Sequence, residues 1–272
     1  MSVLRRDSLK SLSLWRPVVK LAAFAACNMG FTAALKTGLV VPFLYCHGCP
    51  FAAFACPFGA LQHFIGRHEA PFLVLGLLGL AFLILGRWGC GWLCPFGAIQ
   101  DLLTWLAGKE GRKAPSGWPK ADKAARGAKL AVFLGSLAAS YILAGTTFCW
   151  FCPAGALFAG IPYVLLLAQP RVGLPFYIHM LVLLAVLLVA VAVPRAWCRY
   201  LCPVGALAGL FNRVSLVRIE LDEDRCVHCS ACLTACPMGI GELTAIGGPE
   251  CVLCGRCVQA CREGALRLVI RP

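Results

Sequence analysis

Residues 90–98 read CGWLCPFGA, and residues 198–206 read CRYLCPVGA. Both segments contain a Cys-x3-Cys-Pro run, and the second follows the first at an interval of 108 residues. The shorter motif Cys-Pro-x-Gly-Ala occurs four times, beginning at Cys56, Cys94, Cys152 and Cys202. Self-similarity at a fixed interval indicates internal duplication. We therefore expect two copies of one unit, made of a span, a cysteine turn, a short helix, a second span and a second cysteine turn.

The composition is that of a membrane protein. Of 272 residues, 60% are hydrophobic and 14% are charged, whereas soluble domains average about 45–50% apolar and about 25% charged residues. A span needs roughly 20 apolar residues, and four stretches come close: 17–35, 71–86, 130–148 and 174–194. A further stretch, 154–168, is broken by Pro162 and is interpreted as interfacial or re-entrant. Residues 1–213 are therefore predicted to form an all-α polytopic membrane domain with four spans.

The basic residues predict the topology. The net charge is +13, and because lysine and arginine concentrate in cytoplasmic loops, we expect a multi-pass protein of a bacterial inner membrane with both termini in the cytoplasm. These cations lie between apolar runs rather than on one polar surface, so no nucleic-acid partner is expected. The cations that set this orientation are Arg5, Arg6, Lys10, Arg16, Lys109, Arg112, Lys113, Lys120, Lys123, Arg126, Lys129, Arg195, Arg199, Arg213 and Arg218.

Residues 214–272 form a separate segment with two dense cysteine runs. In the spacing Cys-x2-Cys-x2-Cys-x3-Cys, three thiolates bind one [4Fe-4S] cluster and the fourth binds the neighbouring cluster. The segment is therefore predicted to be a cytoplasmic, α+β, two-cluster ferredoxin-like domain. Its predicted ligand sets are Cys226, Cys229, Cys232 and Cys261 for one cluster, and Cys251, Cys254, Cys257 and Cys236 for the other.

Two other interpretations of these runs are weaker. Zinc sites usually combine two cysteine pairs that are far apart in sequence, and a cytoplasmic domain would not keep disulfides. Arg262 stands where a proline usually follows the last cysteine, which weakens the turn but not the ligand count. His228, inside the first run, is expected to face solvent rather than to bind metal.

With these runs behind four spans, the chain resembles the NapH-type membrane iron–sulfur proteins, the quinol dehydrogenase subunits of periplasmic nitrate reductase systems. The resemblance covers nearly all of the chain and is carried by the cysteine pairs at span ends, Cys90, Cys94, Cys198 and Cys202. The same motifs occur in the membrane part of the nitrous oxide reductase regulator and in the iron–sulfur accessory protein of cbb3 oxidase assembly. The flavin-bearing N-terminal region of the regulator is absent from this sequence, which disfavours that role.

The resemblance implies electron transfer between the quinone pool and an iron–sulfur or cytochrome partner protein. It makes the chain a candidate quinol dehydrogenase subunit of a respiratory chain. The alternative is an accessory factor that assembles, or reduces the metal of, a respiratory oxidase or reductase. A redox-sensing regulator would need an effector domain. No P-loop, GxGxxG run or nucleophile triad is present, so hydrolase, kinase and nicotinamide-dependent activities have no support.

A second group of membrane cysteines departs from the family pattern. Two pairs related by a pseudo-two-fold axis can converge on one metal centre. We therefore expect a third cluster at the inner set and a fourth at the outer set. The inner set is Cys90, Cys94, Cys198 and Cys202, and the outer set is Cys46 or Cys56 with Cys49, Cys149 and Cys152. Disulfides on an oxidising face, or small buried residues beside turns, are the alternatives for the outer set.

Further expectations concern the surroundings of the cysteines. Proline after a cysteine suits the first turn of a helix, whose positive dipole end favours a negatively charged thiolate cluster.

His179, a polar residue six positions into the fourth span, is predicted to hydrogen-bond a quinol, with a bond to a neighbouring helix as the alternative, and haem is not expected. A quinol at the outer face would need the outer set as a relay across ~30 Å of hydrocarbon. A quinol at the inner face would need none.

Overall fold

A computed structural model of the protein describes residues 2–4, 6–32, 35–108, 119–166 and 173–270. The predicted loop cations Lys109, Arg112 and Lys113, and Arg5 near the N-terminus, lie outside these ranges.

The described residues are mainly helical. The first half contains β1 (Ser2–Leu4), α1 (Arg6–Cys27), α2 (Pro57–Gly66), α3 (Phe72–Leu85), α4 (Trp88–Trp92) and α5 (Pro95–Leu106). The second half contains α6 (Pro119–Leu143), α7 (Pro153–Gly155), a π-helical turn (Ala156–Gly160), α8 (Ile161–Leu166), α9 (Leu174–Ala192), α10 (Ala196–Tyr200) and α11 (Pro203–Phe211). The C-terminal segment adds β2 (Val217–Leu221), α12 (Ala231–Thr234), α13 (Arg256–Ala260) and β3 (Leu266–Ile270).

Two of the described helices are long and apolar enough to cross a membrane, Ala124–Leu143 within α6 and Leu174–Ala192. Phe72–Leu85 and Pro153–Leu166 are apolar but shorter, and a helix of the length of α3 extends only ~21 Å. The predicted first span, 17–35, is helical only as far as Cys27, where the Asn28 side-chain amide donates to the Phe24 carbonyl (2.8 Å) and closes the last turn. Length and composition therefore support two of the four predicted spans.

The segment between α1 and α2 folds back into the protein. Its side chains include buried Phe43, Leu44 and Tyr45, and the Tyr45 hydroxyl donates to the Cys27 carbonyl (3.1 Å) at the end of α1. Gly30 permits the turn, because a Cβ atom there would lie 2.5 Å from the Ala52 carbonyl oxygen. The fold-back carries the cysteines of this segment inward.

A three-stranded antiparallel sheet of order β1-β3-β2 joins the two ends of the chain. Ser2 and Val217 both pair with Ile270, on opposite edges of β3. The sheet of the C-terminal segment thus takes one strand from outside residues 214–272, a strand too short for its pattern to have been read from sequence. The pairing also places both ends of the chain on the same side of the molecule.

The C-terminal segment packs directly onto the membrane domain. One buried cluster contains Cys90 and Cys198 from the membrane domain together with Cys251 and Cys254. The Trp92 indole Nε1 donates to the Leu253 carbonyl (3.2 Å). The inner set and the second C-terminal run therefore share one core.

Candidate metal centres

The two C-terminal cysteine runs follow the same backbone path. His228 and Ser230 in the first run, and Leu253 and Gly255 in the second, have φ values of 53°, 59°, 48° and 76°. Turns with left-handed residues direct successive backbone N–H groups into a concave nest that binds anions, including iron–sulfur groups. A non-glycine residue in this region is strained, and such strain clusters at functional sites. The backbone therefore fits an anionic cluster.

The cysteine side chains of the two runs surround two separate hollows. The first hollow is lined by Cys226, Cys229, Cys232 and Cys261. The second is lined by Cys236, Cys251, Cys254 and Cys257, with Cys232 at its border. The last cysteine of each run thus stands at the hollow of the other run, which is the crossed arrangement that the spacing predicts.

The donor set fits a multi-iron cluster better than a single ion. No three Cys, His, Asp or Glu side chains within the described ranges form a group that could hold one metal ion. Four sulfurs around one zinc would stand only about 3.8 Å apart, given a Zn–S bond of ≈ 2.3 Å. Burial, together with the charge of Cys254, raises the pKa of Cys251 to about 12. A thiolate there needs a bound cation to be stable.

Each Cys-Pro-x-Gly-Ala motif begins a helix, as the sequence predicts. Cys56, Cys94 and Cys202 are N-caps, and each Sγ accepts a hydrogen bond of 3.4 Å from the glycine N–H three residues later, Gly59, Gly97 and Gly205. Cys152 occupies the same N-cap position before Pro153. The sulfurs therefore stand at the positive ends of helices, where a thiolate is favoured.

Two buried arginines cross between the halves at the inner set. Arg87 and Arg195 each stand three residues before the first cysteine of an inner pair, and both are 0% exposed. Arg87 Nη2 donates to the Cys198 carbonyl (3.2 Å), and Arg195 Nη1 donates to the Cys90 carbonyl (3.4 Å). Each half thus holds the cysteine turn of the other. The four inner thiols lie within electrostatic range of one another.

Two buried glutamines of the first half also contact the second half, and each stands six residues after an N-cap cysteine. Gln62 Oε1 accepts from the Phe148 N–H (2.9 Å), and Gln100 Oε1 accepts from the Trp197 N–H (3.2 Å). Gln100 Nε2 also donates to Cys198 Sγ (3.3 Å). Sequence reasoning missed these residues, although their register within the repeat is a signal that could have found them.

A cavity of about 560 Å³, called here the outer cavity, contains four outer thiols, those of Cys46, Cys56, Cys149 and Cys152. Cys49 is not among the residues that line it, and its Sγ lies 3.4 Å from Asn28 Oδ1 as a hydrogen-bond donor. The expected set therefore changes: Cys46 and Cys56 both belong to it and Cys49 does not. All eighteen cysteines lie in the described ranges as free thiols, so the alternative of an outer disulfide has no structural support.

His179 lines the outer cavity, as do His47 and Tyr45. His179 Nε2 is buried and has no hydrogen-bond partner among the described residues. A Cβ atom at Gly155 would lie 3.7 Å from the imidazole, in ordinary van der Waals contact, so the ring lies directly over this glycine of the motif that begins at Cys152. The histidine faces the thiols.

The outer and inner sets are neighbours. Cys94 Sγ lies 3.8 Å from the Leu44 carbonyl oxygen, and Cys46 follows two residues later, so roughly 15 Å or less separates Cys46 from Cys94. Phe148 bridges the sets, with ring centroids 5.1 Å from Phe58 and 6.1 Å from Trp197. The distance between Cys46 and Cys94 is much shorter than the ~30 Å of hydrocarbon that an electron from an outer-face quinol would have to cross, because the segment before Cys56 folds inward.

A family profile described as a 4Fe-4S binding domain matches four successive segments of the chain: residues 30–70, 68–113, 127–171 and 172–221. Each segment contains one Cys-Pro-x-Gly-Ala motif. A second profile, also described as a 4Fe-4S binding domain, matches residues 218–241. The profiles together cover most of the chain and agree with the repeat in the sequence.

The chain is similar to several ferredoxin-type proteins. It is 35% identical over 171 residues to the methylamine utilization ferredoxin-type protein MauN of Paracoccus denitrificans, covering 62% of this chain and 55% of MauN. It is 28% identical over 186 residues to the ferredoxin-type protein NapH of Haemophilus influenzae, covering 66% and 59%. An uncharacterized protein of Methanocaldococcus jannaschii is 30% identical over 189 residues, covering 68% and 74%. The chain thus spans little more than half of the two named relatives, and no solved structure matches it.

Proposed function

The chain belongs to the NapH-type polyferredoxin family, and from this premise we propose that it carries electrons between the membrane quinone pool and a redox partner protein. It acts as the quinol dehydrogenase subunit of a larger respiratory system. The observation that carries the proposal is that neighbouring cysteine sets are in contact through shared or adjoining cores. Thiols of the inner set share one buried core with the second C-terminal run, and the outer cavity adjoins the inner set.

Four cysteine sets hold the cofactors in this proposal. [4Fe-4S] clusters, when bound, accept and donate single electrons. The sets are Cys226, Cys229, Cys232 and Cys261; Cys251, Cys254, Cys257 and Cys236; Cys90, Cys94, Cys198 and Cys202; and Cys46, Cys56, Cys149 and Cys152.

The surrounding residues fix the thiols and offset their charge. Arg87 and Arg195 place two buried positive charges beside the inner set, which favours anionic thiolates. The N-cap position of each Cys-Pro cysteine adds the helix dipole. Because these groups are held by bonds between the halves, they need little rearrangement when the charge at the site changes.

The proposed location is a bacterial inner membrane, with four spans and both termini in the cytoplasm. Two long apolar helices support the membrane location, and the pairing of β1 with β3 supports a common side for the two ends. Cytoplasmic-type activity is expected from reporters fused at Gly108 and after Pro272. An extracytoplasmic signal from either fusion would contradict this orientation.

The alternative role of an accessory factor that exchanges metal or electrons through surface thiols is less favoured. Reactive thiols need solvent access. Of the eighteen cysteines, all of which are described, Cys229 alone is exposed.

Iron and sulfide counting after anaerobic purification tests the number of centres. About 16 iron atoms per chain are expected for four [4Fe-4S] clusters, and about 12 or 8 would mean three or two. Changing Cys149 and Cys152 together to Ser should remove about four iron atoms. Cys49→Ser is the matched control, since its thiol lies outside the outer cavity. Equal iron in all three proteins would remove the outer centre from the proposal.

The crossed ligation of the C-terminal runs has a separate test. Cys261→Ser should damage the centre built on Cys226, Cys229 and Cys232 and spare the other, and Cys236→Ser should do the reverse. Electron paramagnetic resonance of the reduced proteins distinguishes the two centres. Loss of the centre within the mutated run itself would contradict the crossing.

A further inference from the structure

A second cavity, of about 770 Å³, lies between α1, α5 and the C-terminal segment. Its walls include the aromatic side chains of Phe24, Trp105 and Phe158, and charged groups occupy one end. We propose that this groove binds the ring of a membrane quinone, in its oxidised or reduced form. The inference rests on the proposed exchange of electrons with quinone and assigns that exchange a place. We call this cavity the α1–α5 groove.

The charged end of the groove is an ion network around Asp101. Arg195 donates to both carboxylate oxygens at 2.7 Å, and Lys20 Nζ lies 2.7 Å from Oδ2. Burial opposes ionisation of Asp101, but the charge and hydrogen bonds of Arg195 and the charge of Lys20 hold its pKa well below the ordinary range. The carboxylate therefore stays ionised and is occupied by its own partners, so the network offers a ligand hydrogen-bond donors rather than a base.

Arg16 belongs to this network through its Nη2 but leaves one donor, its Nε, unsatisfied. The residue is 6% exposed, yet its Nε has no hydrogen-bond partner among the described residues. Its Nη2 lies 3.5 Å from the Gly91 carbonyl oxygen and 3.8 Å from Asp101 Oδ2. A buried donor without an acceptor costs free energy. A carbonyl or hydroxyl oxygen of a ring bound in the groove would supply the missing acceptor.

The rim of the groove is apolar and exposed. Leu21, Leu102 and Trp105 line it with exposures of 68%, 52% and 59%. An exposed apolar rim around a deep polar end suits an amphipathic molecule that arrives from the hydrocarbon. A quinone has this character, with a ring that carries two oxygens and an apolar tail.

The shape of the groove favours a quinone over a phospholipid. The donors Arg16 and Lys20 are 6% and 5% exposed, and Phe24 and Phe158, which also line the groove, are in contact with each other, with ring centroids 5.6 Å apart. A flat, neutral ring can enter such a slot with little loss of hydration. A phosphate head group would have to give up a strongly held hydration shell to reach donors at this depth.

The groove also adjoins the second C-terminal cysteine run. Arg256 lines it from α13, between Cys254 and Cys257. Gly91, which accepts from Arg16, packs so closely on Val252 that an added Cβ would lie 2.3 Å from the Val252 carbonyl oxygen. A ring in the groove therefore lies beside the C-terminal segment, and electrons reach that segment without passing the outer cavity.

Photolabelling of the purified, iron-loaded protein with a short-chain azido-ubiquinone tests the site. The label should fall on peptides that contain residues 16–24 or 95–105. Leu102→Trp, which fills the groove, should reduce labelling about tenfold or more. Leu106→Trp is the matched control, because Leu106 is on the same helix, is 66% exposed and does not line the groove. Unchanged iron content in both variants shows that the fold is intact.

The outcomes separate this inference from the proposed function. Labelling at Tyr45 or His179 in the outer cavity, with reduction of the protein by quinol intact, overturns the groove and leaves the function standing. Absence of both labelling and quinol-driven reduction overturns the function and the groove together. Displacement of the label by phosphatidylglycerol vesicles but not by decylubiquinone identifies a lipid and overturns the groove as a quinone site.

Discussion

The two halves of the membrane domain place the same arginine at the same register but satisfy it differently. Arg195 of the second half is paired with Asp101 of the first half through two bonds of 2.7 Å. The position equivalent to Asp101 in the second half is Gly209. Arg87 therefore turns to the C-terminal segment, where Nη1 donates to the Pro249 carbonyl (2.8 Å) and stands 3.8 Å from Glu250.

The glycine is what makes this substitution possible. A Cβ atom at Gly209 would lie 2.7 Å from the Pro249 carbonyl oxygen, so any side chain there would push the C-terminal segment away. The duplicated unit is thus symmetric where it holds the inner thiols and asymmetric where it contacts the C-terminal segment. The arginine of the second half takes its counter-charge from the first half, and the arginine of the first half takes its counter-charge from the C-terminal segment.

The largest expected effect is at Asp101. Asp101→Asn leaves Arg195, which is 0% exposed, without its counter-charge, and breaking a buried pair in this way costs about 3–5 kcal/mol. Glu250→Gln is the corresponding change for Arg87, and it should cost less, because Glu250 is 26% exposed and Arg87 keeps two carbonyl acceptors, although Lys129 and Arg126 also lose a carboxylate partner. Unfolding of the detergent-solubilised variants measures both. Equal losses would break the comparison between the halves.

The next effect concerns Gly91 and Gly209, the two glycines that pack against the C-terminal segment. Gly91→Ala and Gly209→Ala place a Cβ within 2.3 and 2.7 Å of backbone carbonyl oxygens of the C-terminal segment, and overpacking of this kind costs about 1–3 kcal/mol. Hydrogen exchange around residues 249–254 should rise in both variants. Gly135→Ala is the control, because nothing lies within 4 Å of its Cβ position in α6. It should be neutral or slightly stabilising. Unchanged exchange in the first two would contradict a docking role.

The sequence predicted which cysteines of the C-terminal runs and the inner set lie together, because cluster ligation demands a specific residue type at a specific spacing, and their ligation of clusters stays a prediction. It also predicted the N-cap positions, because a proline that follows a cysteine is favoured in the first turn of a helix. The prediction was wrong at Cys49. Comparing the Cys-x2-Cys-Pro runs by sequence takes no account of the way the segment between α1 and α2 folds back, which places this thiol beside Asn28. An apolar segment that packs inward looks, in sequence, like a loop between spans.

The arginines show a second limit. In sequence, Arg195 and Arg199 count equally as topological charges after the fourth span. In the structure both are buried and paired across the molecule, Arg195 with Asp101 and Arg199 with Asp122 (2.7 Å). Such long-range pairing depends on how the repeats face each other, and no local pattern encodes it. The 108-residue register of Arg87 and Arg195 was the one available signal.

The smallest predicted effect compares the two glutamines. Gln62→Leu and Gln100→Leu each remove the acceptor of one buried backbone N–H, so both should lose stability. The two losses should be similar, because each glutamine also makes other bonds: Gln62 accepts from the Ser140 hydroxyl (2.9 Å) and donates to the Phe58 carbonyl (3.4 Å), and Gln100 donates to Cys198 Sγ (3.3 Å). In the iron-loaded protein Gln100→Leu should in addition lower the reduction potential of the inner centre, since a hydrogen bond to sulfur favours the more negative, reduced state. Gln62→Leu should leave that potential unchanged. Unfolding in detergent and a redox titration followed by electron paramagnetic resonance measure the two quantities. Identical potentials in the two variants would show that the Gln100 amide positions the backbone of Trp197 and does not tune the thiol.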